Sequence, residues 1–289
     1  MTTQTVATTN TSTASIVFAA AAGMMLLFFS GYAQATILHD AAHDQRHSMA
    51  FPCHYAALKP MPMKLLTSVV FAGVAAGLIA ALLQFTFVAP SLLEGELYES
   101  GAKVHFALDG SPQSPRGGAE IDFGAEPMRY VMTMAFNVVT YVGFGFLLVA
   151  LMALAEARGL TKITPRQGLI WGIAGFIAIQ LAPAIGQPPV LPGSIGADIG
   201  PRQAWWMATL LTAGLAMWLL AFGRGWLPLL AVPLLLGPHL VGAPTLDTYF
   251  GVTPAELAAQ FSAMSLGYAA AGWAALGFFA AYFYTRETT

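Results

Sequence analysis

Residues 39–54 read His39-Asp40-Ala41-Ala42-His43-Asp44-Gln45-Arg46-His47-Ser48-Met49-Ala50-Phe51-Pro52-Cys53-His54, and they hold four of the six histidines and the only cysteine of the chain. His39, His43 and His47 recur every four residues, so on a helix their imidazoles share one face, with Asp40 and Asp44 beside them. Pro52 forces a turn, and Cys53 and His54 then add a thiolate and a fourth imidazole on a segment able to fold back toward that face. Nitrogen and sulfur ligands in this mixture suit a borderline divalent transition metal better than magnesium or calcium, which prefer oxygen. The alternative is a solvated helix whose histidines are incidental.

A cluster of this kind needs something to hold it, and the composition says what. The chain is 57% hydrophobic and 9% charged, with a mean hydropathy of +0.66. Soluble domains carry about a quarter charged residues, so this is a membrane protein and the lipid bilayer is its first partner. A net charge of −2 without basic runs argues against nucleic acid. A single cysteine forms no internal disulfide, which leaves Cys53 as a ligand or a bystander.

Apolar runs at about 15–38, 65–89, 128–155, 168–186, 203–222, 226–241 and 262–284 predict an all-α, polytopic membrane helical bundle of about seven transmembrane helices. The sixth is short and holds Pro228, Pro233 and Pro238, which predicts a kinked or broken span. Gly73/Gly77 and Gly168/Gly172 have the spacing that lets membrane helices approach closely, although glycine is common in such helices in any case. Ala33-Gln34-Ala35 resembles a signal-peptide cleavage site. The preceding segment has no basic start and its apolar run is long, so the first span is expected to be retained.

With the N-terminus outside, Arg46, Lys59, Lys64, Arg158, Lys162, Arg166, Arg224 and Arg286 fall inside, and Lys103, Arg116, Arg129 and Arg202 outside. That bias favours an N-out, C-in chain with the His/Cys cluster in the cytoplasm. The chain divides into a single-span segment with the cluster (1–58), a stiff Pro-rich linker (59–64) and a six-span unit (65–289). No internal repeat of 20–50 residues is visible.

The one long polar stretch of the larger unit, 90–127, is external on this topology. It contains Glu94, Glu96, Glu99, His105, Asp109, Glu120, Asp122 and Glu126, a concentration of negative charge that attracts cations. His239 follows Pro238 at the end of the sixth run, and an ionisable group at membrane depth is a functional candidate because burying it is costly. Glu94, Glu96, Glu99, His105 and His239 are therefore the candidates for a transport path. A solvated loop and an interfacial histidine bonded to a backbone carbonyl are the plainer readings. Gln84, Asn137 and Gln180 lie within spans, where interhelical hydrogen bonding is their ordinary role. Met128, Met132, Met134 and Met152 read as core filler.

Several chemistries are absent. The chain has no G-x-x-x-x-G-K-[ST] for ATP, no H-E-x-x-H for a membrane metalloprotease, no Cys-x-x-Cys, and no pair of intramembrane histidines for haem. The expectation is a protein that is not an enzyme.

The segment His43 to His54 resembles the histidine motif that ends CbtB, a small single-span predicted cobalt transporter subunit. The rest resembles its partner family CbtA, through Gln84 to Glu99, Arg129 to Leu151, Leu191-Pro192-Gly193, Arg202-Gln203-Ala204-Trp205-Trp206, and Pro238-His239 to Pro244. The resemblance implies a CbtB–CbtA fusion, CbtB-like over about 1–58 and CbtA-like over about 63–289. It further implies a Co²⁺ permease linked to cobalamin supply, placed in the bacterial inner (cytoplasmic) membrane, with metal ligands at His43, His47, Cys53 and His54. His39 joins them on helical spacing alone. The chain departs from the family pattern in two ways: the 90–127 loop holds only His105 where histidines are expected to be numerous, and Ala50 stands where the motif has glycine. A metal-binding membrane adaptor or sensor without flux, transport of Ni²⁺ or Zn²⁺ instead of Co²⁺, and assembly as a homo-oligomer all stay open.

Overall fold

The computed structural model describes residues 13–33, 63–106, 112–248 and 250–286. Among them the regular elements are helices, and the β contact is an isolated antiparallel bridge between Ser194 and Gly251. In chain order they are α1 (Thr13–Ala33), α2 (Met63–Leu83), α3 (Ala89–Glu99), α4 (Pro127–Ala157), α5 (Pro165–Phe176), α6 (Ala182–Gly186), α7 (Ile199–Phe222), α8 (Ala231–Val241) and α9 (Ala255–Arg286). Two π-turns, Gln84–Val88 and Ile177–Leu181, join α2 to α3 and α5 to α6, and a 3₁₀ turn, Leu227–Leu230, leads into α8. This is an all-α membrane bundle. Leu65–Glu99, Pro127–Ala157, Pro165–Gly186, Ile199–Phe222 and Ala255–Arg286 are long and apolar enough to cross a bilayer, whereas Leu227–Val241 is a shorter apolar helix. Large apolar side chains such as Leu82, Leu211 and Leu240 are exposed, an ordinary surface where lipid is the solvent.

The described residues divide between two compact units, one drawn from 1–78, 132–171 and 275–289, the other from 79–131 and 172–274. In the first, Ser68, Val69, Ala72, Ala76, Val149, Met152, Leu276 and Ala280 are fully buried. Small residues make that packing possible. A Cβ on Gly73 or Gly77 would overlap the α4 backbone at Val142 or Val138, and one on Gly168 would overlap Gly277 of α9. The close-approach reading of Gly73/Gly77 is therefore the one the packing supports. At the end of α4, Gly159 takes φ +65°, and its N–H donates to the Glu156 carbonyl while Leu160 N–H donates to that of Ala155. The Glu156 carboxylate then accepts from Ile163 N–H at 3.1 Å and from the Tyr284 hydroxyl at 2.8 Å, tying the α4–α5 turn to α9.

The second unit has two apolar clusters. One joins Val88, Tyr98, Leu191, Leu257 and Phe261, the other Ala178, Ala182 and Ala213 with Ile179, Met217 and Leu235 packed around them. Both π-turns precede an Ala-Pro pair, Ala89-Pro90 and Ala182-Pro183. Proline has no N–H and crowds the carbonyl four residues back. Widening the preceding turn, so that Ala89 N–H bonds to Gln84 O and Ala182 N–H to Ile177 O, carries the helix past it. In the sixth run, Pro228 opens the 3₁₀ turn, Pro238 lies inside α8, and Gly242 at φ +87° ends the helix. The run changes helix type at Ala231 and continues to Val241.

Candidate functional site

His39, His43, His47, Cys53 and His54 lie outside the described residues. Among the described residues no three His, Cys, Asp or Glu side chains come together in a way that could hold a metal ion.

The acidic segment is built on α3 and the start of α4. Glu94 and Lys103 are each only 11% exposed, and Lys103 Nζ donates to Glu94 Oε1 at 2.9 Å. The same ammonium donates to the carbonyls of Pro115, at 3.0 Å, and Gly117, while Gly117 N–H donates to Glu94 Oε1 at 2.8 Å. All three ammonium protons thus have acceptors, and the group also lies 5.7 Å from the Tyr98 ring centroid. This clasp fixes the loop after α3 to the helix itself. Glu99 serves the backbone as well: its Oε1 accepts from Gly193 N–H at 3.0 Å, where Gly193 has φ +79°. Glu94 and Glu99 are accordingly anchors.

Glu96 faces a different partner. Arg129 forks its guanidinium onto both Glu96 oxygens and reaches Glu126 at 3.2 Å. Asp122 Oδ1 accepts from Gly124 N–H at 2.8 Å and from Ala125 N–H at 3.1 Å, turning the chain into α4 so that Arg129 meets Glu96. Glu96, Glu120, Asp122, Glu126, Arg129 and Tyr130 line an open cleft of about 540 Å³. Four carboxylates against one guanidinium give that cleft a negative field, and Arg129 holds two of them in place. His105 stands apart in the loop, its ring 4.2 Å from that of Phe106. Lys103 and Arg129 were not singled out by the sequence. Their signal was that few cations lie among many carboxylates in one segment, so each cation present has to pair.

His239 lies in the last turn of α8, half-buried, its ring 5.6 Å from that of Trp205 in edge-to-face contact. Trp205 is buried, and its Nε1–H donates to the Pro238 carbonyl at 2.9 Å, which also accepts from Gly242 N–H at 3.0 Å. A buried indole needs such an acceptor, and here it fixes α7 against the end of α8. His239 is positioned by this contact and is not brought together with Glu94, Glu96, Glu99 or His105 in a metal-holding group.

Helices of span length, an apolar exterior and a clasped acidic loop define a polytopic helical membrane protein. The family model described as "Probable cobalt transporter subunit (CbtA)" matches residues 62–285, and the chain belongs to that family. A second model, "Probable cobalt transporter subunit (CbtB)", matches residues 4–54, so one chain carries both, as a CbtB–CbtA fusion does. No curated protein and no solved structure matches the chain.

Proposed function

We propose that the protein is a membrane permease importing Co²⁺, linked to cobalamin supply and working in the bacterial inner membrane. The observation that carries this reading is the presence of both cobalt transporter subunit families in one chain. Joining them covalently places one metal-handling segment beside every permease unit, the arrangement expected if metal passes from one to the other. In this account the acidic cleft around Glu96, Glu120, Asp122 and Glu126 raises the local cation concentration outside. His239, close to Trp205 at the end of a short helix, borders the route. His39, His43, His47, Cys53 and His54 receive the metal on the cytoplasmic side. Imidazole and thiolate bind Co²⁺ more strongly than the carboxylates of the cleft, so affinity rises along the direction of import.

The cellular test uses a bacterial strain without other cobalt importers, supplied with trace cobalt and dependent on its own cobalamin. Expression of the chain should restore growth and raise cell cobalt. Restored cobalt without restored growth would remove the cobalamin link, and restoration by nickel or zinc accumulation instead would reassign the substrate.

A further inference from the structure

The second π-turn, Ile177–Leu181, stands in Pro165–Gly186, a helix long and apolar enough to span a bilayer. Its fourth residue is Gln180, an amide in a segment otherwise made of isoleucine, leucine and alanine. Gln180 is six residues from the end of Pro165–Gly186, hence about 9 Å along the helix from that end. It is half-buried, and its side-chain amide makes no hydrogen bond among the described residues. Pro183 has no N–H to give the carbonyls of Ala178 or Ile179, which would be its acceptors in a π or an α turn. Three oxygens therefore fall within three consecutive residues, an amide oxygen and two main-chain carbonyls, in a region where an unsatisfied polar group costs several kcal/mol.

A structural account of the turn explains the proline but not the glutamine. The face that packs on α7 is formed by small and apolar residues, Ala178 and Ala182 against Ala213, with Ile179, Met217 and Leu235 around them. Gln180 is not part of that cluster. The same device also occurs at Gln84–Val88 before Ala89-Pro90, again with a glutamine in the turn. After each such helix the chain enters the next one through a Gly-Ala-acid sequence, a proline and an arginine: Gly124-Ala125-Glu126-Pro127 to Arg129, and Gly196-Ala197-Asp198 with Pro201-Arg202. The two π-turns thus share a local setting, an Ala-Pro pair after the turn and an arginine at the start of the next helix. Spanning helices that depart from regular winding are where many transporters bind their substrates.

We infer that the π-turn Ile177–Leu181 is a transit site for a partly hydrated divalent cation, coordinated by the Gln180 amide oxygen and the carbonyls that Pro183 leaves without a donor. The inference rests on the transport reading above. Oxygen ligands without charge hold such an ion weakly, which a conducting site needs: entry must be favourable and release fast. Selectivity then resides elsewhere, in the nitrogen and sulfur ligands.

The test is Co²⁺ uptake by the full chain in proteoliposomes, as initial rate against concentration, for the unmodified protein and for Gln180→Leu, Gln180→Glu and Pro183→Ala. Gln180→Leu should lower the maximal rate roughly tenfold with unchanged size in detergent, since only the ion loses a ligand. Gln180→Glu preserves volume and adds charge. It should lower the KM for Co²⁺ roughly fivefold and also slow turnover, because a charged ligand releases the ion less readily. Pro183→Ala restores a donor to the turn and should slow uptake. An unmodified rate and KM in both Gln180 variants would overturn the site while leaving transport intact, as would loss of uptake in Gln180→Leu accompanied by dissociation of an oligomer. No uptake by the unmodified chain would overturn the transport reading, and this site with it.

Discussion

Replacing Lys103 by methionine tests whether the loop after α3 is held by its buried charge pair. The substitution keeps the volume of the stem and removes an ammonium that serves Glu94, Pro115 and Gly117 together. Exposed ion pairs contribute about 0–1 kcal/mol, whereas removing one member of a fully buried pair costs about 3–5 kcal/mol, because the other charge is left without a partner. Glu94 and Lys103 are each 11% exposed, and Glu94 would keep the Gly117 N–H at 2.8 Å. The residual exposure and that remaining bond bring the expected cost to about 2–3 kcal/mol. Local opening should become easier by a factor of roughly 30 or more, at 1.4 kcal/mol per decade. Hydrogen exchange at the Gly117 amide reads this directly, and the Glu94→Gln/Lys103→Met double variant should recover about 2 kcal/mol of it. A change in exchange below about threefold, or a coupling below about 0.5 kcal/mol, would place the pair among ordinary surface contacts and refute the clasp.

Further outcomes follow from the same account. Gly77→Val should destabilise the folded protein by about 2–3 kcal/mol or abolish its folding, since the added Cβ meets the backbone at Val138; thermal unfolding in detergent measures it. His43→Ala/His47→Ala should lower the calorimetric affinity for Co²⁺ at least tenfold, and binding by the unmodified chain should weaken below about pH 6 as the imidazoles protonate. His239→Ala should reduce uptake while binding at the cluster is unchanged. Cys53, the only thiol, should resist a membrane-impermeant reagent in metal-chelated intact cells and react once they are permeabilised. Labelling of intact cells would move the cluster to the outer face and make it the first contact with metal.

The span-length helices were legible because their apolar runs are long and almost free of charge, the condition a spanning segment must meet, whereas the short, proline-rich sixth run gives only the shorter helix Leu227–Val241. Gly73 and Gly77 were legible as a close-approach pair, and the α4 backbone stands where their spacing required. The π-turns were not, because one turn widened by a residue inside an apolar stretch leaves no charge or turn signal of its own. Their trace in the sequence is an Ala-Pro pair, at the end of one apolar run (89–90) and inside another (182–183). The role of the acidic residues was only half legible. Composition shows a negative segment, but nothing local tells that Glu94 pairs with Lys103 nine positions on or Glu96 with Arg129 thirty-three positions on. Tertiary contact separates the anchors, Glu94 and Glu99, from the carboxylates that face the cleft. The metal ligands at 39–54 remain a reading of spacing, residue type and family resemblance.

Uptake of radiolabelled Co²⁺ by the purified full chain in proteoliposomes tests the central claim most directly, with Ni²⁺ and Zn²⁺ as competitors and with or without a pH gradient. The account predicts saturable, time-dependent accumulation inside the vesicles, absent from protein-free liposomes and inhibited less by Ni²⁺ and Zn²⁺ than by unlabelled Co²⁺. Metal that binds the protein but never enters the lumen under either gradient condition would contradict it and leave a membrane metal-binding adaptor.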